Sequence, residues 1–503
     1  VAQFSEGTFA DSEEAVAKLA VTGNPMAPTI INALQDGRLY ADSDAKKVYL
    51  KGVDGKVTDA VSGAAVGDIP DSASKLRLNN KLRRAVEAAL GSLTLLSPDP
   101  AKRVQAAQTV FKSRDAAALP AIAGALKTET NSAAKKAFTE ARAAILLFSA
   151  DASEADKLDA VATIRAKGDQ DALALLSDLP SDQPAAVKAA ATSAIAGIQH
   201  SLALWSAVQN AWYGLSLGSV LLLAAIGLAI TFGVMGIINM AHGEMVMLGA
   251  YTTYVVQDLI RAHNAALFDY SLVIAVPMAF LVAGAIGIVI ERAVIRFLYG
   301  RPLETLLATW GLSLILQQAV RTIFGPTNKD VGNPSWMSGA FDLGGMTVTY
   351  NRLWIICFTL AVFVALLGML RYTRLGLEMR AVTQNRAMAA AMGIRTARID
   401  ALTFGLGSGI AGIAGVALSQ IDNVSPNLGQ GYIIDSFMVV VFGGVGNLWG
   451  TLVGAMTLGI ANKFLEPYAG AVLGKIAILV FIILFIQKRP RGLFALKGRA
   501  VEA

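Results

Sequence analysis

The sequence predicts an all-α fold: a polytopic membrane helix bundle of about seven full spans plus a broken or re-entrant helix pair. A soluble helical-repeat domain with a small β-hairpin precedes it. Three observations carry this expectation. Hydrophobic residues make up 54% of the 503 positions and charged residues 16%, against about 25% charged in an average globular domain. The apolar runs, such as Val220–Ile230 and Ile476–Ile486, concentrate after residue 200, whereas residues 1–200 are rich in Ala, Asp, Lys and Ser. The basic residues of the second half cluster in short segments beside apolar runs.

Residues 1–200 read as an Ala-rich helical array. Lys157–Asp169 aligns with Arg103–Asp115, so that Val104, Ala106, Thr109, Val110 and Asp115 match Leu158, Ala160, Thr163, Ile164 and Asp169. It also aligns with Glu14–Asn24, where Ala15, Val16, Ala17 and Gly23 match Ala160, Val161, Ala162 and Gly168. In each copy a helix ends at a polar turn and a second apolar-periodic helix follows, as in stacked helical hairpins of the HEAT type. Such an array offers an extended docking face; a plain helical bundle is the other reading. Between the first two copies, Leu39, Tyr40, Val48 and Tyr49 flank a polar turn, and Arg38–Lys51 reads as a β-hairpin. No catalytic constellation occurs in this half, and His200 reads as a surface residue. Residues 201–212 read as a linker.

A helical span needs about 20 apolar residues. The candidates are Tyr213–Phe232, Gly236–Val256, Ser271–Ile290, Leu303–Ile323, Leu353–Leu370, Ala401–Gln420 and Ala469–Gln487. The stretch Tyr432–Phe464 is interrupted by Gly443-Gly-Val-Gly-Asn447 and reads as two short helices entering and leaving from one side. Irregular backbone at membrane depth must be buried in protein or line a cavity. The membrane domain is thus expected over 213–490, with a tail over 491–503.

Arginine sets the orientation. Arg292, Arg296 and Arg301, the six arginines from Arg371 to Arg398, and Lys488, Arg489, Arg491, Lys497 and Arg499 mark cytoplasmic segments. The net charge of +6 is therefore not read as nucleic-acid binding. Counting back puts the start of the first span outside. The chain begins at Val1, and the expected cause is a removed signal peptide, with truncation as the alternative; both lines put residues 1–200 outside the cytoplasm. The single cysteine, Cys357, excludes a disulfide within the chain.

Polar side chains inside apolar runs are the functional candidates, because they are costly there. Asn239, His242 and Glu244 form the densest group; Gln317, Gln318, Asn423, Asp435 and Asn447 are the others. His242 and Glu244, two positions apart, do not share a helical face, so no metal is expected. Hydrogen bonds from such groups could hand along an uncharged or zwitterionic solute. Gly405, Gly407, Gly409, Gly412 and Gly415 lie in one predicted helix, where small residues let backbones approach. Gly470-Ala-Val-Leu-Gly-Lys-Ile476 has the wrong length for a phosphate loop and lacks a Ser or Thr after its Lys.

The motifs Gly214-Leu-Ser-Leu-Gly-Ser219 and Gly236-Ile-Ile-Asn-Met-Ala-His-Gly-Glu244, the loop Arg374–Ile394 and the break Val441–Gly450 resemble, in this order, permeases of the branched-chain amino-acid and urea importer family. The resemblance covers about residues 210–495 and implies the membrane subunit of an ATP-binding-cassette importer. It implies a bacterial inner-membrane location, a second permease subunit, two cytoplasmic ATPases, an external solute-binding protein, and ATP and magnesium in those ATPases rather than a cofactor in this chain. It also implies a translocation path through Asn239, His242, Glu244, Gln317, Gln318, Asp435 and Asn447. The counterpart of the family's ATPase-coupling helix comprises Arg386, Ala389, Ala390, Ala391, Met392, Gly393 and Ile394; the Glu that often opens that motif is Ala389 here. The exported N-terminal domain resembles that of urea-transporter permeases. Urea or a related short amide is the implied cargo, with a branched-chain amino acid, or a passive solute channel, as alternatives.

Overall fold

The computed structural model describes residues 2–5, 9–21, 26–43, 45–52, 56–67, 69–70, 72–76, 78–79, 82–83, 86, 89, 94–95 and 97–494. The chain divides into two compact units, Val1–Leu204 and Trp205–Ala503.

In the first unit, helices α1 (Phe9–Val21) and α2 (Ala27–Gln35) precede five strands: β1 (Leu39–Asp42), β2 (Lys47–Lys51), β3 (Val57–Asp59), β4 (Ala65–Val66) and β5 (Ser74–Lys75). The expected hairpin exists, with Leu39 opposite Leu50 and Asp42 opposite Lys47. It is the centre of a larger antiparallel sheet of order β4-β3-β2-β1-β5. The added strands are two or three residues long, too short to show an alternating pattern. Ile31, Leu34, Leu39 and Val48 bury one face of this layer.

From residue 100 on, the described residues of this unit form helices α3 (Pro100–Ser113), α4 (Leu119–Thr128), α5 (Ser132–Phe148), α6 (Glu154–Lys167) and α7 (Gln170–Ser177). Two of the aligned copies share their end geometry. α3 stops at Arg114 (φ 57°) and α6 at Gly168 (φ 65°), both left-handed. The next residue, Asp115 or Asp169, then caps the following turn through its carboxylate. Gly23 of the remaining copy lies outside the described residues. Phe138, Ile122, Leu147 and Ile164, all fully buried, form the core of these helices. Arg103 on α3 clamps Glu129, the residue ending α4, with Nε and Nη2 at 2.7 and 2.8 Å.

Helix α8 (Ala185–Met235) carries the division between the units, so residues 201–212 are helical rather than an irregular linker. The second unit continues with α9 (His242–His263), α10 (Ser271–Ala293), α11 (Pro302–Phe324), a hairpin of β6 (Ala340–Leu343) and β7 (Met346–Thr349), α12 (Tyr350–Tyr372), α13 (Arg374–Gln384), α14 (Arg386–Ala391), α15 (Thr396–Leu418), α16 (Leu428–Gly443) and α17 (Leu448–Lys488). Five of the described helical segments are long and apolar enough to cross a membrane by length and composition. They correspond to the first, third, fifth, sixth and seventh predicted spans. α9 and α11, for the second and fourth, have 22 and 23 residues but a more polar make-up.

The interrupted pair is α16 and the first part of α17, parted at Gly444 and Gly446 with φ 106° and 77°. α17 is itself folded back at Gly470 (φ 75°, ψ 166°). A Cβ on Gly474 would lie 3.5 Å from that of Leu465, although nine residues of straight helix span about 13 Å. The first four residues of the expected tail are not loose. Leu493 and Phe494 donate their amides to the carbonyls of Phe442 (2.9 Å) and Gly443 (3.1 Å), so the tail closes the C-terminal end of α16.

α15 is the hub of the bundle. A Cβ on Gly407 would lie 2.6 Å from the carbonyl oxygen of Gly227 on α8, and one on Gly412 2.6 Å from that of Ala279 on α10. A Cβ on Gly415 would strike Val246 and Ala250 on α9. The glycine spacing thus brings three helices onto one backbone, as small-residue packing in membranes requires.

Candidate functional site

α8 ends at Met235, and Gly236 (φ 69°) reverses the chain. The segment up to Ala241 is not helical, and α9 starts only at His242. His242 Nε2 lies 2.8 Å from the carbonyl oxygen of Ala224, about three helical turns before the end of α8. The N-terminus of α9 is therefore inside the bundle, level with the last quarter of α8, and the predicted second span is a helix that begins at depth.

That irregular backbone is satisfied internally. The Met240 amide donates to Thr309 Oγ1 (3.1 Å) and the Ala241 amide to Asn239 Oδ1 (3.0 Å). Asn239 thus holds the turn. His242 and Glu244 part company, as their spacing requires: His242 turns to α8 and Glu244 to α11. Both are 1% exposed.

Glu244 is the centre of a buried polar network. Its Oε1 accepts from Ser313 Oγ (2.9 Å) and Gln317 Nε2 (2.7 Å). Gln317 Oε1 in turn accepts from Gln430 Nε2 on α16 (3.2 Å). Glu244 Oε2 has no hydrogen-bond partner in the structure. A buried carboxylate oxygen without a donor is costly, and here it is an unused acceptor at the meeting point of α9, α11 and α16. His242 Nδ1 is also buried without a partner. No group of three or more His, Cys, Asp or Glu side chains suited to a metal occurs among the described residues.

The remaining candidates are dispersed. Gln318 is exposed on the other face of α11, and Asn423 is exposed in the loop before α16. Asp435 is buried but paired with Lys475 Nζ at 2.8 Å. Asn447 is the N-cap of α17: its Oδ1 accepts from Trp449 and Gly450, and its Nδ2 donates to the Phe494 carbonyl at 3.3 Å. Sequence reasoning missed Ser313 and Gln430. The signal for the first was present, since Thr305, Thr309, Ser313 and Gln317 recur at every fourth position of α11 and all are buried. Gln430 sits on the first turn of a helix that starts four residues before the predicted stretch.

The loop after α12 folds into two short helices. Asn385 caps α14 by accepting from the Met388 amide (2.9 Å), and Gly393 (φ 87°) ends it. Ala389 is buried and accepts from the Ile394 amide. Ala390, Ala391, Met392 and Gly393 are exposed, with Met388 at 60% and Met392 at 77%. Arg386 does not share that face. Its guanidinium turns inward to the Asp400 carboxylate and lies 4.7 Å from the centre of the Tyr299 ring.

A family described as branched-chain amino acid transport system, permease component, matches residues 210–486. The high-affinity branched-chain amino acid transport system permease protein LivH of Salmonella typhimurium is 32% identical over 298 residues, which are 57% of this chain and 94% of that protein. The corresponding BraD of Pseudomonas aeruginosa is 31% identical over 287 residues, 56% of this chain and 93% of its own length. The ribose import permease protein RbsC of Escherichia coli is 30% identical over 207 residues, 39% of this chain and 62% of that protein. No solved structure matches. Residues 1–209 lie outside the family match.

Proposed function

The chain belongs to the family of branched-chain amino acid transport permeases, and on that premise we propose that it forms the translocation path for urea or a related short amide in an ATP-driven importer. The observation that carries the cargo is the free Oε2 of Glu244, buried among the Ser313 hydroxyl and the Gln317 and Gln430 amides. A short amide brings N–H donors for that oxygen and a carbonyl for an amide N–H, and it carries no charge that needs a buried counter-ion. Among the described residues, no Lys or Arg is hydrogen-bonded to any member of this network.

The second reading is import of a branched-chain amino acid, the cargo named for LivH and BraD. There Glu244 would take the ammonium group. In both readings the energy comes from separate ATPases docking on the exposed α14 face around Met388 and Met392, and a second permease subunit and an external binding protein complete the assembly. The basic loops then face the cytoplasm and residues 1–204 the outside.

The test is uptake of labelled urea and labelled leucine into vesicles holding the permease pair, with ATPases and binding protein supplied. ATP-dependent urea uptake that leucine does not compete supports the first reading. ATP-dependent leucine uptake gives the second, and urea flux that ignores ATP makes the chain a passive channel.

A further inference from the structure

We propose that Arg386, Asp400 and Glu291 form a two-position latch that converts displacement of α14 into movement of α15 against α10; this rests on the permease reading above. Asp400 lies in the first turns of α15 and Glu291 near the end of α10, and each is 2% exposed. The two helices touch closely here, since a Cβ on Gly287 would lie 3.3 Å from the Phe404 carbonyl oxygen. Glu291 is one turn after Gly287 and Asp400 one turn before Phe404, so on antiparallel helices the two carboxylates come to the same level. The charges of Asp400 and Arg386 both act on Glu291.

The groups do not balance. Two buried carboxylates share one inward guanidinium, which hydrogen-bonds Asp400. Glu291 Oε2 and Asp400 Oδ1 have no hydrogen-bond partner in the structure. Arg292, 58% exposed, stands 3.9 Å from Glu291, and the charge of Arg296 acts on it as well. The Arg386 side chain is 40% exposed, whereas both carboxylates are buried, and an unpaired buried carboxylate is strongly unfavourable. Glu291 is therefore a second acceptor that competes with Asp400 for the one guanidinium.

Arg386 is also the first residue of α14, so it moves with the helix that shows Met388 and Met392 to a partner. The Tyr299 ring beneath the guanidinium provides a surface over which it can slide. Two discrete pairings of comparable chemistry make a two-state element that a docked partner can bias. α15 then carries the change to α9, through Gly412 and Gly415, and so to the helix that bears Glu244. In this scheme Arg386, Asp400 and Glu291 are positioning residues and touch no cargo.

The test uses the whole importer in vesicles and reads ATP hydrolysed per solute imported. Glu291→Gln removes only the second position and leaves the Arg386–Asp400 pair intact. The latch predicts that this ratio rises on the order of fivefold or more, the low end of typical coupling free energies, while the ATPases still co-purify. Arg386→Lys, which keeps the charge but loses the planar fork, is expected to raise it as well, and Asp400→Glu to stay near wild type. A merely structural ion pair predicts a wild-type ratio for Glu291→Gln, and that result overturns the latch. A wild type with no ATP-driven uptake of urea or leucine overturns the permease reading and the latch with it.

Discussion

Replacing Glu244 by glutamine tests the centre of the polar network with little change of shape. In the wild type Oε1 accepts two bonds, at 2.9 Å from Ser313 and 2.7 Å from Gln317, and Oε2 accepts none. A glutamine whose carbonyl keeps both bonds must put an NH2 where the free oxygen was. That group donates and cannot receive a solute N–H. The alternative flip sets the NH2 against the Gln317 NH2, and relieving that clash by turning Gln317 breaks its 3.2 Å bond from Gln430. A net hydrogen bond to a charged group contributes about 1.5–3 kcal/mol and a neutral one about 0.5–1.5. Loss of the acceptor therefore costs roughly 1.5 kcal/mol, where the two ranges meet, about a tenfold loss of solute affinity at the site. The assay is initial uptake at subsaturating solute in vesicles, with co-purification of the ATPases as the check on assembly. An assembled E244Q importer with wild-type uptake would show that the carboxylate only holds α9 to α11.

Other perturbations probe different parts of the chain. Gly407→Ala puts a methyl 2.6 Å from the Gly227 carbonyl oxygen and 2.7 Å from Thr231 Cγ2; overpacking of this kind costs about 1–3 kcal/mol, so unfolding by added sodium dodecyl sulfate shifts to lower detergent fraction, and an unshifted curve refutes the close α8–α15 contact. Gly393→Val forces a β-branched residue to φ 87° at about 1–3 kcal/mol of local strain; the protein is expected to insert while its ATP turnover no longer tracks uptake, and a normal ratio counts against the docking role of α14. In the first unit, hydrogen bonds from Arg103 and then from the Asn131 amide hold the Glu129 carboxyl below its usual 4.5. A depressed folded value means stability that is present above the unfolded value and lost as pH falls through the folded one. Hydrogen-exchange protection of α5, corrected for intrinsic rates, should therefore fall in acid, and Glu129→Gln should flatten that limb; an unchanged limb removes the clamp from the account.

The membrane helices were legible because a span announces itself by length and apolarity, and glycine and arginine then mark contacts and loops. The soluble unit was legible where a cap carries the message, as at Gly168 and Asp169. Strands of two or three residues carry no such message, and three of the five went unread. In the site, Glu244 stood out as a charge in an apolar run, but its partners did not. Ser313 needs a view down the face of α11, and Gln430 is joined to Gln317 across 113 positions of sequence. Arg386 shows the opposite failure: beside an apolar helix it reads as a partner contact, and only folding brings Asp400 under it. Asn447 reads as a pore polar group yet is spent on capping α17.

The bonds from Leu493 and Phe494 to the end of α16 also bear on biogenesis. Phe442 and Gly443 leave the ribosome well before the amides that satisfy their carbonyls. During insertion, α16 must enter the bilayer with its end frayed, and the chain must make both arms of α17 before that end can be sealed. Closure of the glycine break thus waits until the last residues of this joint have been made.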